Sequence, residues 1–274
     1  MIAAPWQPLL RKAARSYIAG PELQDALRLA RGGASTLCFW DAREDLPRHV
    51  ADMYLETVRA IESAGLDSYL SLKAPSLAFD ADLVTEVAEA ASAAGMLLHF
   101  DSLAAEAADP TFRLIEQVYA HQVQVGCTLP GRWRRSPRDA QKNARRCERV
   151  RVVKGQWPDP DADVDPEAGF LDVVDALVGS RTLVAVATHE PRLAAASIRR
   201  LQSSGTPCEL ELLYGLPDRA VLAVAREFAV KVRYYLPYGH AWLPYALRQA
   251  RRNPRILWWV LRDAATSGLG LCPP

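Results

Sequence analysis

Apolar and polar positions follow two periods along the chain, and the two periods alternate. Short apolar runs rich in Val, Leu and Tyr are each followed by a longer stretch with apolar residues at helical spacing. The short runs predict strands at 36–40, 69–73, 96–100, 123–129, 149–154, 182–188, 209–214 and 232–238. The longer stretches predict helices at 21–30, 48–64, 81–94, 111–120, 137–146, 167–178, 191–203, 218–228 and 243–252.

This alternation makes eight strand–helix units, preceded by one N-terminal helix. Continuous apolar strands are typical of a sheet that is buried on both faces, and strands joined by helices pair in parallel. An open doubly wound sheet usually has fewer strands and often carries a glycine-rich phosphate loop after its first strand. The first predicted strand runs instead into Trp40-Asp41-Ala42-Arg43. We therefore predict an α/β fold, a (β/α)8 TIM barrel, as one domain over residues 1–274 with its core at about 17–258.

Composition and charge exclude several classes of protein. Half of the 274 residues are hydrophobic and 24% are charged, which is typical of a globular domain. The formal net charge of +1 gives no reason to expect nucleic acid as a partner. Scattered arginine pairs fit solvated helix faces. The apolar patch 256–261 is too short to cross a bilayer, so we expect at most peripheral membrane contact.

The five cysteines are odd in number and show no CxxC or Cys/His ligand spacing. A disulfide framework, a structural zinc site or any other metal site is therefore not expected. Residues 1–12 lack the apolar core of a signal peptide. Reduced thiols predict a cytoplasmic protein.

Charged and titratable residues stand at the ends of the predicted strands. They are Lys73, Asp101, Thr128, Lys154-Gly155, His189-Glu190, Tyr214 and Tyr235, with Arg151 inside the fifth strand. In a barrel of this type the active site lies at the carboxyl ends of the strands. Burying an ionised side chain costs on the order of several kcal/mol unless an oppositely charged partner or a ligand binds it. Their convergence predicts an enzyme.

Each of these residues also has a structural interpretation. Lys73 could simply extend its side chain to solvent at the rim, and Asp101 could cap the helix that follows it. His189 could be structural, next to the start of a helix. Arg151, inside a strand, requires an anion or a carboxylate partner. The Pro/Asp-rich loop 157–165 is the longest connection and fits either a functional rim loop or a passive surface loop.

Short motifs on successive predicted strands carry a resemblance to a known family. They are Tyr17-Ile18-Ala19-Gly20, Ser71-Leu72-Lys73, Phe100-Asp101, Arg151-Val152-Val153-Lys154-Gly155, Ala187-Thr188-His189, Glu209–Gly215, Tyr235–Gly239 and Trp242–Arg248. In this order they resemble the FAD-dependent proline dehydrogenases of the monofunctional bacterial type. The resemblance covers residues from about 17 to about 258 and adds one motif per strand, which makes it far more specific than a single motif.

This resemblance implies FAD at the barrel mouth and hydride transfer from the carbon beside the substrate nitrogen to flavin N5. The implied cofactor-binding residues are Arg151, Val153, Lys154, Gly155, Trp157, Thr188, His189 and Glu190. The implied catalytic residues are Lys73, Asp101, Arg151, Tyr235 and Arg248. The implied substrate-binding residues are Lys73, Leu213, Tyr235, Tyr245, Arg248 and Gln249. Lys73 and Arg248 would hold a substrate carboxylate, with Asp101 orienting the cations.

The predicted last helix, expected near the barrel mouth, departs from the family pattern. Where the family has an arginine pair followed by a glutamate, this chain has Arg248-Gln249 and then Arg252. A glutamine that the family carries on its fourth strand aligns near Gly126 of this chain. We expect oxidation of a C–N bond in L-proline or a related small amino acid or amine, with quinone or oxygen as electron acceptor. The alternatives are a family member redirected to a non-proline amine or an N–N substrate, and a flavin-less binding or partner barrel.

Overall fold

The structure, a computed structural model, describes residues 19–239. Several predicted features lie outside the described residues. They are Tyr17 and Ile18 of the first motif, the last helix 243–252 with Tyr245, Arg248, Gln249 and Arg252, the patch 256–261, and Cys272.

Eight parallel strands form a closed barrel. They are β1 (Ser35–Phe39), β2 (Ser68–Leu72), β3 (Leu98–Phe100), β4 (Val125–Pro130), β5 (Arg149–Val153), β6 (Leu183–Ala187), β7 (Cys208–Leu213) and β8 (Lys231–Tyr238). Each strand pairs with its neighbours in chain order, and β8 pairs with β1 to close the sheet. The predicted (β/α)8 barrel is confirmed.

One helix precedes the first strand and the other helices of the described range follow strands β1 to β7. They are α1 (Leu23–Ala30), α2 (Pro47–Ser63), α3 (Ala81–Ala93), α4 (Ala108–Ala120), α5 (Ser136–Asn143), α6 (Pro166–Leu177), α7 (Pro191–Ser203) and α8 (Arg219–Glu227). Gly65 and Gly95 have φ of +59° and +63° just after α2 and α3, as expected of helix-ending glycines. Helix α4 begins earlier than predicted because a short 3₁₀ helix, Ala105–Ala107, leads into it.

The outward face of the barrel packs against the helices and is apolar. Alternate strand residues such as Leu37, Leu70, Val150, Val184 and Leu210 have no solvent exposure. Burying one such side chain contributes roughly 1.5–3 kcal/mol, so this layer supplies most of the driving force for folding. No helix in residues 19–239 is both long and apolar enough to cross a bilayer.

The inward face of the barrel is polar, which corrects the expectation of strands that are apolar throughout. In β5 and β7, Arg149 and Arg151 alternate with valines, while Glu209 and Glu211 alternate with leucines. Arg149 donates to Glu209 although β5 and β7 are not neighbours, so these side chains meet inside the barrel. The polar groups are tolerated there because oppositely charged partners face one another.

Candidate active site

The carboxyl ends of the strands surround a cavity of about 1040 Å³, which we call the mouth cavity. Its lining includes Lys73 after β2, Asp101 after β3, Arg151 on β5, Leu213 on β7 and Tyr235 on β8. The structure therefore brings together residues that are far apart in sequence, at the end of the barrel where enzymes of this fold have their active sites.

Arg151 is the central cation on the floor of the mouth cavity. Its Nε and Nη2 donate to both carboxylate oxygens of Glu211, at 2.8 and 2.9 Å, and Nη1 donates to Asp101. The guanidinium lies 4.9 Å from the centre of the Tyr235 ring. Burial alone would lower the pKa of Arg151, but the charges of Glu211 and Asp101 outweigh it and hold the pKa well above its usual value. Arg151 is thus a rigid, permanent cation.

Glu211 is the counter-ion of Arg151 and was not identified from the sequence. It accepts from Arg151 above and from Arg149 below, deep in the barrel. Burial would raise the pKa of Glu211, but the two arginines lower it to about 2. The side chain is therefore ionised at any physiological pH and fixes the orientation of the guanidinium.

Asp101 joins side chains from three strands, β2, β5 and β8, at the edge of the mouth cavity. Its Oδ1 accepts from Ser71 at 2.7 Å and from Arg151, and its Oδ2 accepts from the Tyr235 hydroxyl at 2.7 Å. The Cys38 thiol also points at Oδ2 from 3.5 Å, and burial raises its pKa to about 12, so it is a neutral donor. Asp101 orients the cation, rather than capping a helix.

Lys73 reaches the mouth cavity but already has partners there. Its Nζ donates to the Phe39 carbonyl at 3.0 Å and to Asp41 Oδ1 at 3.1 Å. It also lies 5.7 Å from the centre of the Trp40 ring. Trp40 and Asp41 follow β1 directly, so the end of β1 sets the position and the charge balance of this lysine.

The Pro/Asp-rich loop after β5 contributes to the wall, with Trp157 and Pro158 on the lining of the mouth cavity. The Trp133 indole donates to the Trp157 carbonyl at 2.9 Å, which ties the loop to the segment after β4. Gly155 has φ of +97°, and a Cβ there would lie 2.7 Å from Pro130 Cβ. Only glycine fits this turn without displacement.

Lys154 and Glu190 lie together outside the lining of the mouth cavity. Lys154 Nζ donates to Glu190 and to Glu167 Oε1, the latter at 2.9 Å. Side chains alternate along a strand, so Val153 faces the cavity and Lys154 faces away from it. Their implied part in cofactor binding is not apparent in this arrangement.

His189 lines the mouth cavity and holds two loops together. Its Nδ1 faces the Pro217 carbonyl at 3.1 Å, and its Nε2 accepts from the Leu213 amide at 3.0 Å. Burial lowers the pKa of His189, so the ring is neutral with its proton on Nδ1. Thr188, also on the lining, accepts from the Glu190 amide at 3.1 Å just before α7. His189 can meet a ligand only through its ring face or edge.

Residues that sequence reasoning missed share a recognisable signal. Arg149, Glu209 and Glu211 stand at every second position of buried strands, and that alternation points charged side chains into a barrel. Asp41 directly follows a predicted strand, as Asp101 does, but it belongs to none of the motifs that carry the resemblance. The three site residues predicted on the last helix, Tyr245, Arg248 and Gln249, lie outside the described residues, as does Arg252.

Comparison with known proteins finds similarity to the same family that the motifs resemble. Proline dehydrogenase 1 of Bacillus subtilis (strain 168) is 24% identical over 274 residues, which span 92% of this chain and 90% of that protein. Proline dehydrogenase of Deinococcus radiodurans is 26% identical over 279 residues, 91% of this chain and 89% of that protein. The chain is thus similar to bacterial proline dehydrogenases over about nine-tenths of its length. The resemblance found in the sequence is thereby confirmed, whereas no protein-family model matches the chain.

Solved structures agree with the fold of this chain. Proline utilization A from Bdellovibrio bacteriovorus superposes with a TM-score of 0.77 at 17% identity. The match covers 87% of this chain but only 32% of that protein, so the chain spans about a third of its length. The likeness supports the barrel assignment and nothing finer.

Proposed function

We propose that this protein is a flavin-dependent oxidoreductase that oxidises a C–N bond of L-proline or a related small amine. The observation that carries the proposal is Arg151, a buried guanidinium held by Glu211 and Asp101 on the floor of a large cavity. A fixed cation at that place suits a cofactor whose ring gains negative charge during the reaction.

The mouth cavity is suited to a flavin. Its volume of about 1040 Å³ lies at the upper end of the range for ligand pockets. Arg151, Val153, Gly155, Trp157, Thr188 and His189 line it and would hold the cofactor, while Lys154 and Glu190 would at most border it. The chemistry that FAD supplies when bound is acceptance of a hydride at N5 from the carbon beside the amine nitrogen.

The chain's own residues would bind and orient the substrate. Leu213 and the Tyr235 ring form an apolar wall for a small ring or alkyl chain. The Tyr235 hydroxyl is held by Asp101, so the wall has a fixed orientation relative to Arg151. Trp157, from the loop after β5, also lines the cavity. Rigid positioning of this kind lowers the barrier to hydride transfer by placing donor and acceptor in contact.

A second candidate reaction is oxidation of a non-proline amine or an N–N substrate. The pairing of Lys73 with Asp41 favours it, since a lysine that already holds a carboxylate is less available to a substrate carboxylate. A cytoplasmic location, a quinone or oxygen as electron acceptor, and the roles of Tyr245, Arg248 and Gln249 stay predictions.

An absorption spectrum of the purified protein tests the proposal. Visible flavin bands that bleach when L-proline or pyrrolidine is added without oxygen are the expected result. Arg151→Lys should bind less flavin, while Arg146→Lys, a surface change beside Glu116, should behave as the parent protein. A protein that shows no flavin bands even after incubation with FAD would contradict the proposal and favour the flavin-less barrel.

A further inference from the structure

Asp41 pairs with Lys73, the lysine that the family resemblance implies for binding a substrate carboxylate. Lys73 Nζ, 15% exposed, donates to Asp41 Oδ1 at 3.1 Å and to the Phe39 carbonyl at 3.0 Å. Two of the three ammonium protons are thus engaged, and the charge of Lys73 is balanced by a carboxylate that itself faces the mouth cavity.

The other cations of the mouth cavity are balanced in the same way. Among residues 19–239 its lining carries three cationic side chains, and each has a carboxylate partner. Arg151 pairs with Asp101 and Glu211, and Arg132 pairs with Asp163. A carboxylate ligand entering this part of the site would meet a lining with no surplus of positive charge.

The loop that contributes Trp157 to the lining is acidic. The rim loop 157–165 contains Asp159, Asp161, Asp163 and Asp165 and has no lysine or arginine. Trp157 and Pro158 of the same loop line the mouth cavity, and one of its four carboxylates, Asp163, is already paired with Arg132. A field of this sign raises the local concentration of cations and lowers that of anions.

We propose that Asp41 is a specificity-determining residue that turns the substrate pocket from recognition of an amino-acid carboxylate to recognition of a small amine cation. A carboxylate at Lys73 would lie beside the Asp41 carboxylate and be repelled by it. An ammonium group is attracted to Asp41 and needs no acidic substituent on the substrate. The inference rests on the proposed function, because it names the substrate class of that same site.

Calorimetric titration of the flavin-loaded protein tests this inference with three matched probes. Pyrrolidine carries only the cation, cyclopentanecarboxylate carries only the anion on a ring of the same size, and L-proline carries both. We expect the parent protein to bind pyrrolidine at least about tenfold more tightly than cyclopentanecarboxylate, a difference of about 1.4 kcal/mol. Equal or tighter binding of the anion by the parent protein would overturn the inference.

Asp41→Asn isolates the residue, with Asp41→Ser as a second variant of smaller volume. Each should bind cyclopentanecarboxylate about tenfold more tightly and pyrrolidine about tenfold more weakly than the parent protein. Asp52→Asn, which removes an exposed carboxylate beside Arg48, is the control and should change neither affinity. Weaker anion binding in the Asp41 variants would show that Asp41 holds Lys73 in place for a carboxylate, and the inference would be wrong.

Adding Lys73→Met to Asp41→Asn should remove the gained anion binding, since Lys73 is the cation that the substitution releases. A gain that persists without Lys73 would also contradict the inference. Flavin retention, read from the visible spectrum, is scored separately. A protein that keeps its flavin but prefers the anion leaves the proposed function standing and rejects only the role of Asp41.

Discussion

The barrel interior has two layers of ion pairs that differ in their access to solvent. In the lower layer, Arg149 and Arg233 share Glu209, and these side chains are 2–7% exposed. In the upper layer, Lys73 and Asp41 are 15% and 21% exposed and line the mouth cavity. The same kind of pairing therefore serves as sealed packing in one layer and as an adjustable surface in the other.

The difference teaches where this barrel can change its chemistry. Removing one partner of a buried ion pair strongly destabilises the fold, whereas removing one partner of a solvent-exposed pair changes the free energy of unfolding little. Glu211 extends the sealed layer upward, because it accepts from Arg149 below and from Arg151, itself only 5% exposed, above. Substitutions at the more exposed Lys73–Asp41 pair can therefore alter recognition without threatening the fold.

Arg149→Ala should give the largest effect on stability. It removes a buried partner of both Glu209 and Glu211, so we expect the free energy of unfolding to fall by about 3–5 kcal/mol. Urea unfolding followed by circular dichroism measures the change. Arg146→Ala, which removes an exposed cation beside Glu116, should cost about 0–1 kcal/mol. Similar decreases in the free energy of unfolding in the two variants would contradict the difference between buried and solvent-accessible ion pairs.

Arg151→Lys should give the largest effect on function. A lysine keeps the positive charge but cannot make the paired contacts to Glu211 and the contact to Asp101 together. We expect flavin reduction by substrate to slow by about 100-fold or more. Stopped-flow absorbance at the flavin band checks this, and a variant that reduces flavin at the parent rate would exclude Arg151 from the reaction.

Glu211→Gln should change the response of stability to acid. The pKa of Glu211 is about 2 in the fold and ordinarily 4.5, so its ionised form contributes stability above pH 4.5 that is lost as the pH falls towards 2. The variant should be less stable at neutral pH and lose less stability across that window. Urea unfolding at several pH values measures both slopes, with exposed Glu62→Gln as control. Parallel slopes would mean that Glu211 is not the group that titrates.

Lys73→Met should give the smallest effect on stability. Its pair with Asp41 is open to the mouth cavity, so we expect a change in unfolding free energy of about 1 kcal/mol or less. Measured beside Arg149→Ala under the same conditions, it sets the scale of the comparison. A loss as large as that of the buried arginine would show that the upper layer is as structural as the lower one.

Much of the fold could be predicted from the sequence. The change between a strand period and a helix period predicts the units, and glycines such as Gly65 and Gly95 mark helix ends. The strand-end residues Lys73, Asp101, Arg151, His189 and Tyr235 were all placed on one rim, and the structure has them on the lining of the mouth cavity.

The partners of those residues could not be predicted with the same reasoning. Arg151 was expected to need an anion or a carboxylate, but Glu211 lies 60 residues further along and on a strand that is not adjacent to β5. Lys154 belongs to the same sequence motif as Arg151 and Gly155, so the resemblance implies that it binds the cofactor. The alternation of side chains along the strand instead directs it outward to Glu190 and Glu167.

The sequence by itself determined the barrel, the residues at its rim and the resemblance to proline dehydrogenases, because the hydrophobic period and the chemistry of the strand ends are local properties of the chain. Only the tertiary structure decided that each cation of the mouth cavity in the described range has a carboxylate partner, with Asp41 on Lys73 and Glu211 on Arg151. The physical reason is that closing the barrel brings opposite strands within hydrogen-bond distance, and the low dielectric inside makes those long-range pairings strong.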